Sequence, residues 1–245
     1  MLKRFFDVVI SLLSLTVLSP LLFFLSVIIW LYDRKSPFYI APRVGKHGRI
    51  FKMFKFRTMQ VGADKNKVDS TSANDPRITH IGVFIRKCKL DELPQLFNVL
   101  LGQMSIVGPR PNVARETALY TDLEKQLLAV RPGITDFASV VFADEGEILK
   151  ESKDPDIDYN QLIRPWKSEL GLFYIKNMSV LLDLQIILAT AIAPINRTKS
   201  LQIVSAILKN LSASDALLNV SSRKEKLVPA PPPGASTIVL TRNIS

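Results

Sequence analysis

With one cysteine, Cys88, in 245 residues, the chain cannot form an internal disulfide, which suits a reducing, cytosol-facing compartment. Basic neighbours could activate its thiol, but no suitable histidine partner is evident, so a structural cysteine is the plainer reading. His47 and His80 are the only histidines, which argues against a histidine-rich zinc centre. No Walker loop occurs, and no Gly-x-Gly-x-x-Gly follows a strand, which speaks against NTPase and dinucleotide chemistry. Negative charge is in short supply: 22 Asp and Glu against 32 Lys and Arg leave a formal charge of +10. Such a surplus favours anionic partners, either phosphorylated substrates or acidic membrane lipid. Without an arginine-rich aromatic stripe, no nucleic-acid partner is expected.

Charge is missing altogether from residues 8–31. As a helix this run measures about 36 Å against a hydrocarbon core of about 30 Å, so it is expected to meet the bilayer. No small-residue cleavage pattern follows it, which disfavours a secretory signal. Ser19-Pro20 interrupts its middle. Pro20 removes the amide that would pair with the Thr16 carbonyl, and Ser19 can back-bond to a preceding carbonyl to help satisfy the bend. Lys3 and Arg4 precede the run, and Arg34, Lys35, Arg43 and Lys46 follow it. Basic flanks on both sides ask for both ends in the cytoplasm, which a helix-break-helix hairpin dipping into one leaflet satisfies better than a straight span.

The chemistry concentrates in residues 87–111, KCKLDELPQLFNVLLGQMSIVGPRP. Leu93, Leu96, Phe97 and Leu100 have the spacing of one buried helical stripe, with Pro94 tolerated in its first turn. Asp91 and Glu92 stand where unpaired amides and the positive end of the helix dipole favour ionised carboxylates, available as nucleophile or metal ligand. Acids at a helix start are also ordinary capping groups. Adjacent residues point about 100° apart, so the two carboxylates need different roles. Arg86 arrives just before the pair, and Arg110 just after it. Pro109 and Pro111 fix the backbone around Arg110 and reduce the entropy lost in holding its guanidinium against an anion.

Around this centre, residues 36–59 read as two extended segments about a turn at 45–48. The second, FKMFKFRTM, offers Lys52, Lys55 and Arg57 either as a solvated face or as a basic wall for phosphate. Residues 62–76 read as a mobile loop able to cover a nucleotide. Further helices are expected over 114–130, 161–176 and 179–193, and an amphipathic helix or pair over 201–218. The acids Asp144, Glu145 and Glu147 read as a solvated loop rather than a metal site. Proline-rich residues 221–245 read as a flexible tail.

The stretches KRFFDVVISLL, SPL, FKMFKFRTM, LDELPQLFNVLLGQMSIVGPRP, RPGIT and YIKNMSVLLDLQIIL resemble, in order, the bacterial sugar transferase family. These are the monotopic phosphoglycosyl transferases that initiate lipid-linked glycan assembly. The chain departs from many members at Asp136 and Phe137, where Gly and Trp are common, and at Gly171, where an acid is common. The resemblance implies transfer of a sugar 1-phosphate from a UDP-sugar to polyprenyl (undecaprenyl) phosphate, leaving UMP. In this scheme Asp91 is the nucleophile of a covalent aspartyl phosphosugar and, with Glu92, holds Mg²⁺. Arg86 and Arg110 hold phosphate oxygens, with the Lys52, Lys55 and Arg57 wall behind them. The place is the cytoplasmic face of a bacterial inner membrane. A silent membrane-anchored nucleotide or lipid binder, or an assembly scaffold, is the alternative, and a homo-oligomer is left open. The expected architecture is mostly α with a few short strands: a re-entrant hairpin (1–35), a catalytic domain (36–197), an amphipathic segment (198–220) and the tail (221–245).

Overall fold

In the computed structural model, residues 2–63 and 75–241 are described. The loop expected over 62–76 lies mostly outside them.

The fold is mostly helical with two small sheets. The apolar N-terminus forms α1 (Leu2–Asp33), the one described helix long and apolar enough to cross a membrane by length and composition. It stays helical through Ser19-Pro20, so a single helix stands where two joined by a break were expected. The reason lies in its own side chains. Ser19 Oγ donates to the Thr16 carbonyl at 2.9 Å, replacing the amide that Pro20 lacks. Both ends of α1 hold the same domain. Near the start, Lys3 pairs with Asp183 at 2.6 Å, and Arg4 donates to the carbonyls of Val99 and Leu100. Asp7 accepts from Ser105 Oγ and the Ile106 amide. At the far end, Leu25 and Ile29 pack with Phe56 and Ile85, and Asp33 takes both terminal nitrogens of Arg57. None of residues 12–24 between these anchors is buried.

The hairpin β1 (Phe38–Val44) and β2 (Ile50–Phe56) is antiparallel, from Phe38 opposite Phe56 to Val44 opposite Ile50. Its turn is made possible by Gly48 at φ +76°. Next come α2 (His80–Lys87), a 3-10 turn over Leu90–Glu92 and α3 (Gln95–Leu100). Then β3 (Ser105–Val107) pairs in parallel with β4 (Gly133–Thr135). Past these strands the chain backbones touch. A Cβ on Gly133 would sit 2.1 Å from the Gly108 amide nitrogen, so only glycine lets the Gly-Pro-Arg-Pro turn and the Arg-Pro-Gly turn close.

The long helix expected over 114–130 is two pieces: α4 (Ala114–Thr117) and a 3-10 segment over Glu124–Ala129. A capping box makes the break. Thr121 Oγ1 accepts from the Glu124 amide, and Glu124 accepts from the Thr121 amide. Then follow α5 (Phe137–Val141), α6 (Glu145–Ile148), α7 (Pro155–Asp158), a π turn at Tyr159–Ile163, α8 (Arg164–Lys176), α9 (Val180–Ile192), α10 (Arg197–Asn210) and α11 (Asp215–Ser222). The main core joins β2 and β3 to α5 and α8–α11. Proline-rich residues 221–241 lie on the domain instead of hanging free. Pro232 and Pro233 are buried, the Ala230 amide donates to the Gln161 carbonyl, and Gln161 Nε2 donates to the Val239 carbonyl. The acids of α6 are likewise engaged. Asp144 pairs with Arg197 and Arg223, Glu145 with Lys167, and Glu147 with Lys150.

Candidate active site

Lys89 adopts a left-handed conformation, φ 57° and ψ 21°, which turns the chain out of α2 and starts the 3-10 turn that holds both acids. Leu93 and Pro94 keep right-handed helical angles into α3, so residues 90–100 form one nearly continuous helical path. The 3-10 turn and α3 both pack against β2. Asn98 secures the seam: its Oδ1 accepts from the Phe54 amide at 2.9 Å, and its Nδ2 donates to the Lys52 carbonyl at 2.7 Å.

Alternation along β2 sorts the basic residues. Lys55 shares a face with Phe51 and Met53, and its ammonium reaches both acids. Nζ lies 3.1 Å from Glu92 Oε1 and 3.9 Å from Asp91 Oδ2. Lys52, three residues earlier, leaves from the opposite face and is exposed. Arg57 is spent elsewhere: buried, it grips Asp33 with two hydrogen bonds of 2.6 Å and the Ser36 carbonyl with a third. Of the expected basic wall, Lys55 alone reaches the pair. Arg57 instead fastens the end of α1 to the sheet.

Arg110 arrives from the turn after β3. Its Nη2 donates to the same Glu92 Oε1 that Lys55 uses. Pro109 and Pro111 are buried on either side. Pro109 is backed by Gly171 of α8, where a Cβ would stand 2.8 Å from Leu127 Cδ2 and 3.6 Å from Pro109 Cβ. A side chain at position 171 would require the end of Leu127 to shift. Arg86, at the end of α2, lies within electrostatic reach of Asp91, and its Nη1 is buried without a hydrogen-bond partner.

The two carboxylates have different surroundings. Glu92 is half-buried, and the loss of water around it by itself pushes its carboxyl up. Arg110 and Lys55 outweigh that and hold it well below the usual carboxylate range. Asp91 is only 7% exposed and accepts no hydrogen bond among the described residues; its one ion contact is the long one to Lys55. Burial, helped by the neighbouring Glu92 charge, pushes its carboxyl up against the pull of Lys55, Arg86 and Arg110. Burial pulls the Lys55 ammonium down, against the attraction of Glu92 and Asp91.

Sequence reading missed the outer ring. Glu145 pairs with Lys167, whose ammonium also lies 5.1 Å from the centre of the Tyr159 ring. Burial raises the Glu145 carboxyl, but Lys167, with Arg110 and Lys89 behind it, brings it below the ordinary value. Asp136 is buried and caps α5, accepting from the Ser139 amide at 2.6 Å. An Asp three residues before a Ser at the head of an apolar run was the signal for that cap. No signal short of the fold joins Glu145 to Lys167. Among the described residues no group of three or more His, Cys, Asp or Glu could hold a metal ion.

The chain is 37% identical over 211 residues to an uncharacterized sugar transferase of Haemophilus influenzae, covering 80% of this chain and 41% of that protein. It is 39% identical over 195 residues to an undecaprenyl-phosphate glucose phosphotransferase of Komagataeibacter xylinus, covering 77% and 35%. It is 37% identical over 209 residues to the exopolysaccharide production protein PSS of Rhizobium leguminosarum bv. phaseoli, covering 81% and 97%. The chain thus spans well under half of the first two and nearly all of the third. Residues 1–197 match the model of one family along their whole length, and the chain belongs to it: the bacterial sugar transferases.

Proposed function

We propose that the protein transfers a sugar 1-phosphate from a UDP-sugar to polyprenyl (undecaprenyl) phosphate, releasing UMP, as the first membrane step of a glycoconjugate or exopolysaccharide. Relatives carry names of this kind, including the glucose phosphotransferase above. The observation that carries the reading is the unequal treatment of the two acids. Glu92 Oε1 gathers Lys55 and Arg110, while Asp91 beside it keeps both oxygens free of hydrogen bonds. A buried carboxylate with weak contacts is a strong nucleophile. The cations held at its side by Glu92 are placed for the charge that builds on phosphorus.

In the first step an Asp91 oxygen attacks the sugar-bearing phosphorus, and the bond to UMP breaks. In the second, an oxygen of the lipid phosphate attacks the same phosphorus and returns the electron pair to Asp91. Dividing the exchange keeps two anionic substrates from having to meet directly. Asp91 and the Oε2 of Glu92 are hard oxygen donors without hydrogen bonds, and two carboxylates plus substrate phosphates suit Mg²⁺. When bound there, Mg²⁺ would neutralise the diphosphate. Arg110 and Arg86 would hold phosphate oxygens.

The membrane setting rests on α1. Both its ends are docked to one domain while residues 12–24 expose Leu12, Leu13, Val17, Phe23 and Phe24. That pattern supports a re-entrant helix bent at Pro20, entering one leaflet and leaving the domain on the cytoplasmic face of the inner membrane. The test is a panel of UDP-sugars assayed for UMP release in membranes containing polyprenyl phosphate. At least one sugar should support release, and Asp91→Asn should lower it by about a thousandfold or more. Parent-like turnover by Asp91→Asn would remove the covalent mechanism. No release with any sugar would favour a binding or scaffold protein.

A further inference from the structure

Besides Arg86 Nη1, a second buried donor close in sequence to the acidic pair lacks a partner among the described residues. Gln95 is 1% exposed, and its Nε2 makes no hydrogen bond among the described residues. It stands four residues after Asp91, about one turn on along the nearly continuous helical path. Side chains on a helix lean toward its N-terminus, the direction in which Asp91 lies along the chain. Asn98, further along α3, is fully engaged: besides its two bonds to β2, its Nδ2 donates to Gln103 Oε1 at 2.7 Å. The seam between α3 and β2 therefore satisfies one amide and leaves the other unspent. A buried donor without an acceptor destabilises the resting protein, and an apolar side chain of the same shape would remove that cost. Asp91 in turn accepts no hydrogen bond. An idle donor and an idle acceptor one turn apart are arranged for a state other than the resting one.

We propose that Gln95 is a positioning residue for the second half-reaction, donating from Nε2 to the Asp91 oxygen that does not carry phosphorus. This deepens the proposed function and rests on it. In the aspartyl phosphosugar that oxygen is a carbonyl. When the lipid phosphate attacks, the Asp91–phosphorus bond breaks and its electron pair returns to the carboxylate. A hydrogen bond to the second oxygen gains strength as that negative charge develops, so it favours departure of Asp91. It gives the initial attack by Asp91 no such help.

The test compares the parent with Gln95→Met and Gln95→Glu in rapid-mix assays with a UDP-sugar that the parent turns over and with polyprenyl phosphate. Gln95→Met fills the same space without a donor. It should melt at or above the parent temperature and keep a UMP burst of about one per chain. Steady turnover should fall about tenfold to a hundredfold, with labelled sugar phosphate accumulating on Asp91. Gln95→Glu places a second negative charge behind the departing carboxylate and should slow turnover at least as much, with the burst retained. The inference is overturned if burst and turnover fall together in both variants, or if Gln95→Met turns over like the parent. The same outcomes would fit a Gln95 that merely holds a buried water. Absence of any burst or Asp91 label in the parent would instead overturn the proposed function itself.

Discussion

Glu92→Gln is the sharpest perturbation of the electrostatic frame. The substitution keeps the shape and a carbonyl acceptor but removes the negative charge that Lys55 and Arg110 share. Lys55 then faces only Asp91, at 3.9 Å, and Arg110 keeps only the more distant charges of Glu145 and Asp91. Removing one partner of a fully buried ion pair costs about 3–5 kcal/mol; the partial exposure of Glu92 and Arg110, together with the retained acceptor, reduces this to about 2–3 kcal/mol. For a domain of this size that is a fall of roughly 4–12 °C in melting temperature. The effect has a pH signature. The folded-state pKa of Glu92 lies well below its ordinary value of 4.5, so its stabilisation is present above 4.5 and is lost as pH falls through the folded value. The melting difference between parent and Glu92→Gln should be full at neutral pH and shrink as the solution is acidified below that ordinary value. Thermal melts across pH measure this directly. Equal melting temperatures at neutral pH, or a difference that grows on acidification, would refute the assignment of Glu92 as the counter-ion of both cations.

Two further outcomes follow from the same geometry. Burial holds the Asp91 carboxyl above its ordinary 3.8, and only the ionised form attacks phosphorus, so the acid limb of UMP release should lie above that value. Glu92→Gln removes one of the raising charges and should move the limb toward lower pH, which a pH profile of single-turnover release would detect. Away from the site, Glu124 is fully buried and pairs with Arg164 at 2.6 Å, with Ser168 donating to its other oxygen. Glu124→Gln leaves Arg164 a buried charge without a counter-ion and should cost about 3–5 kcal/mol in chemical unfolding, with the UMP-release pH profile unchanged.

Much of the fold is legible in local text because local forces decide it. The β1–β2 hairpin follows its glycine turn, α9 follows the Ser179 cap, and the Ser19 hydroxyl answers the carbonyl left by Pro20. The missed break before Glu124 was also local: Thr121 and Glu124 spell a capping box, overridden in the reading by the apolar spacing around it. What the sequence conceals is pairing between distant segments. Nothing in Gly-Pro-Arg-Pro or Arg-Pro-Gly alone says that Gly108 and Gly133 meet backbone to backbone, or that Pro109 rests on Gly171. Strand period separates Lys52 from Lys55, so grouping them with Arg57 as one wall ignored the alternation of β2. Arg57 looked free because Asp33, its partner, lies beyond a whole strand and turn in sequence. The tail looks free because proline-rich text lacks helical or strand period, yet Pro232 and Pro233 are buried.

The account stands on Asp91 taking the phosphosugar. Donor labelled at the sugar-bearing phosphate, mixed with the protein without acceptor lipid and quenched rapidly, allows the site to be read by proteolysis and mass spectrometry. The label is predicted on the peptide carrying Asp91, up to one per chain, and gone from Asp91→Asn. Label on any other residue, or an active protein that never acquires it, would contradict the account.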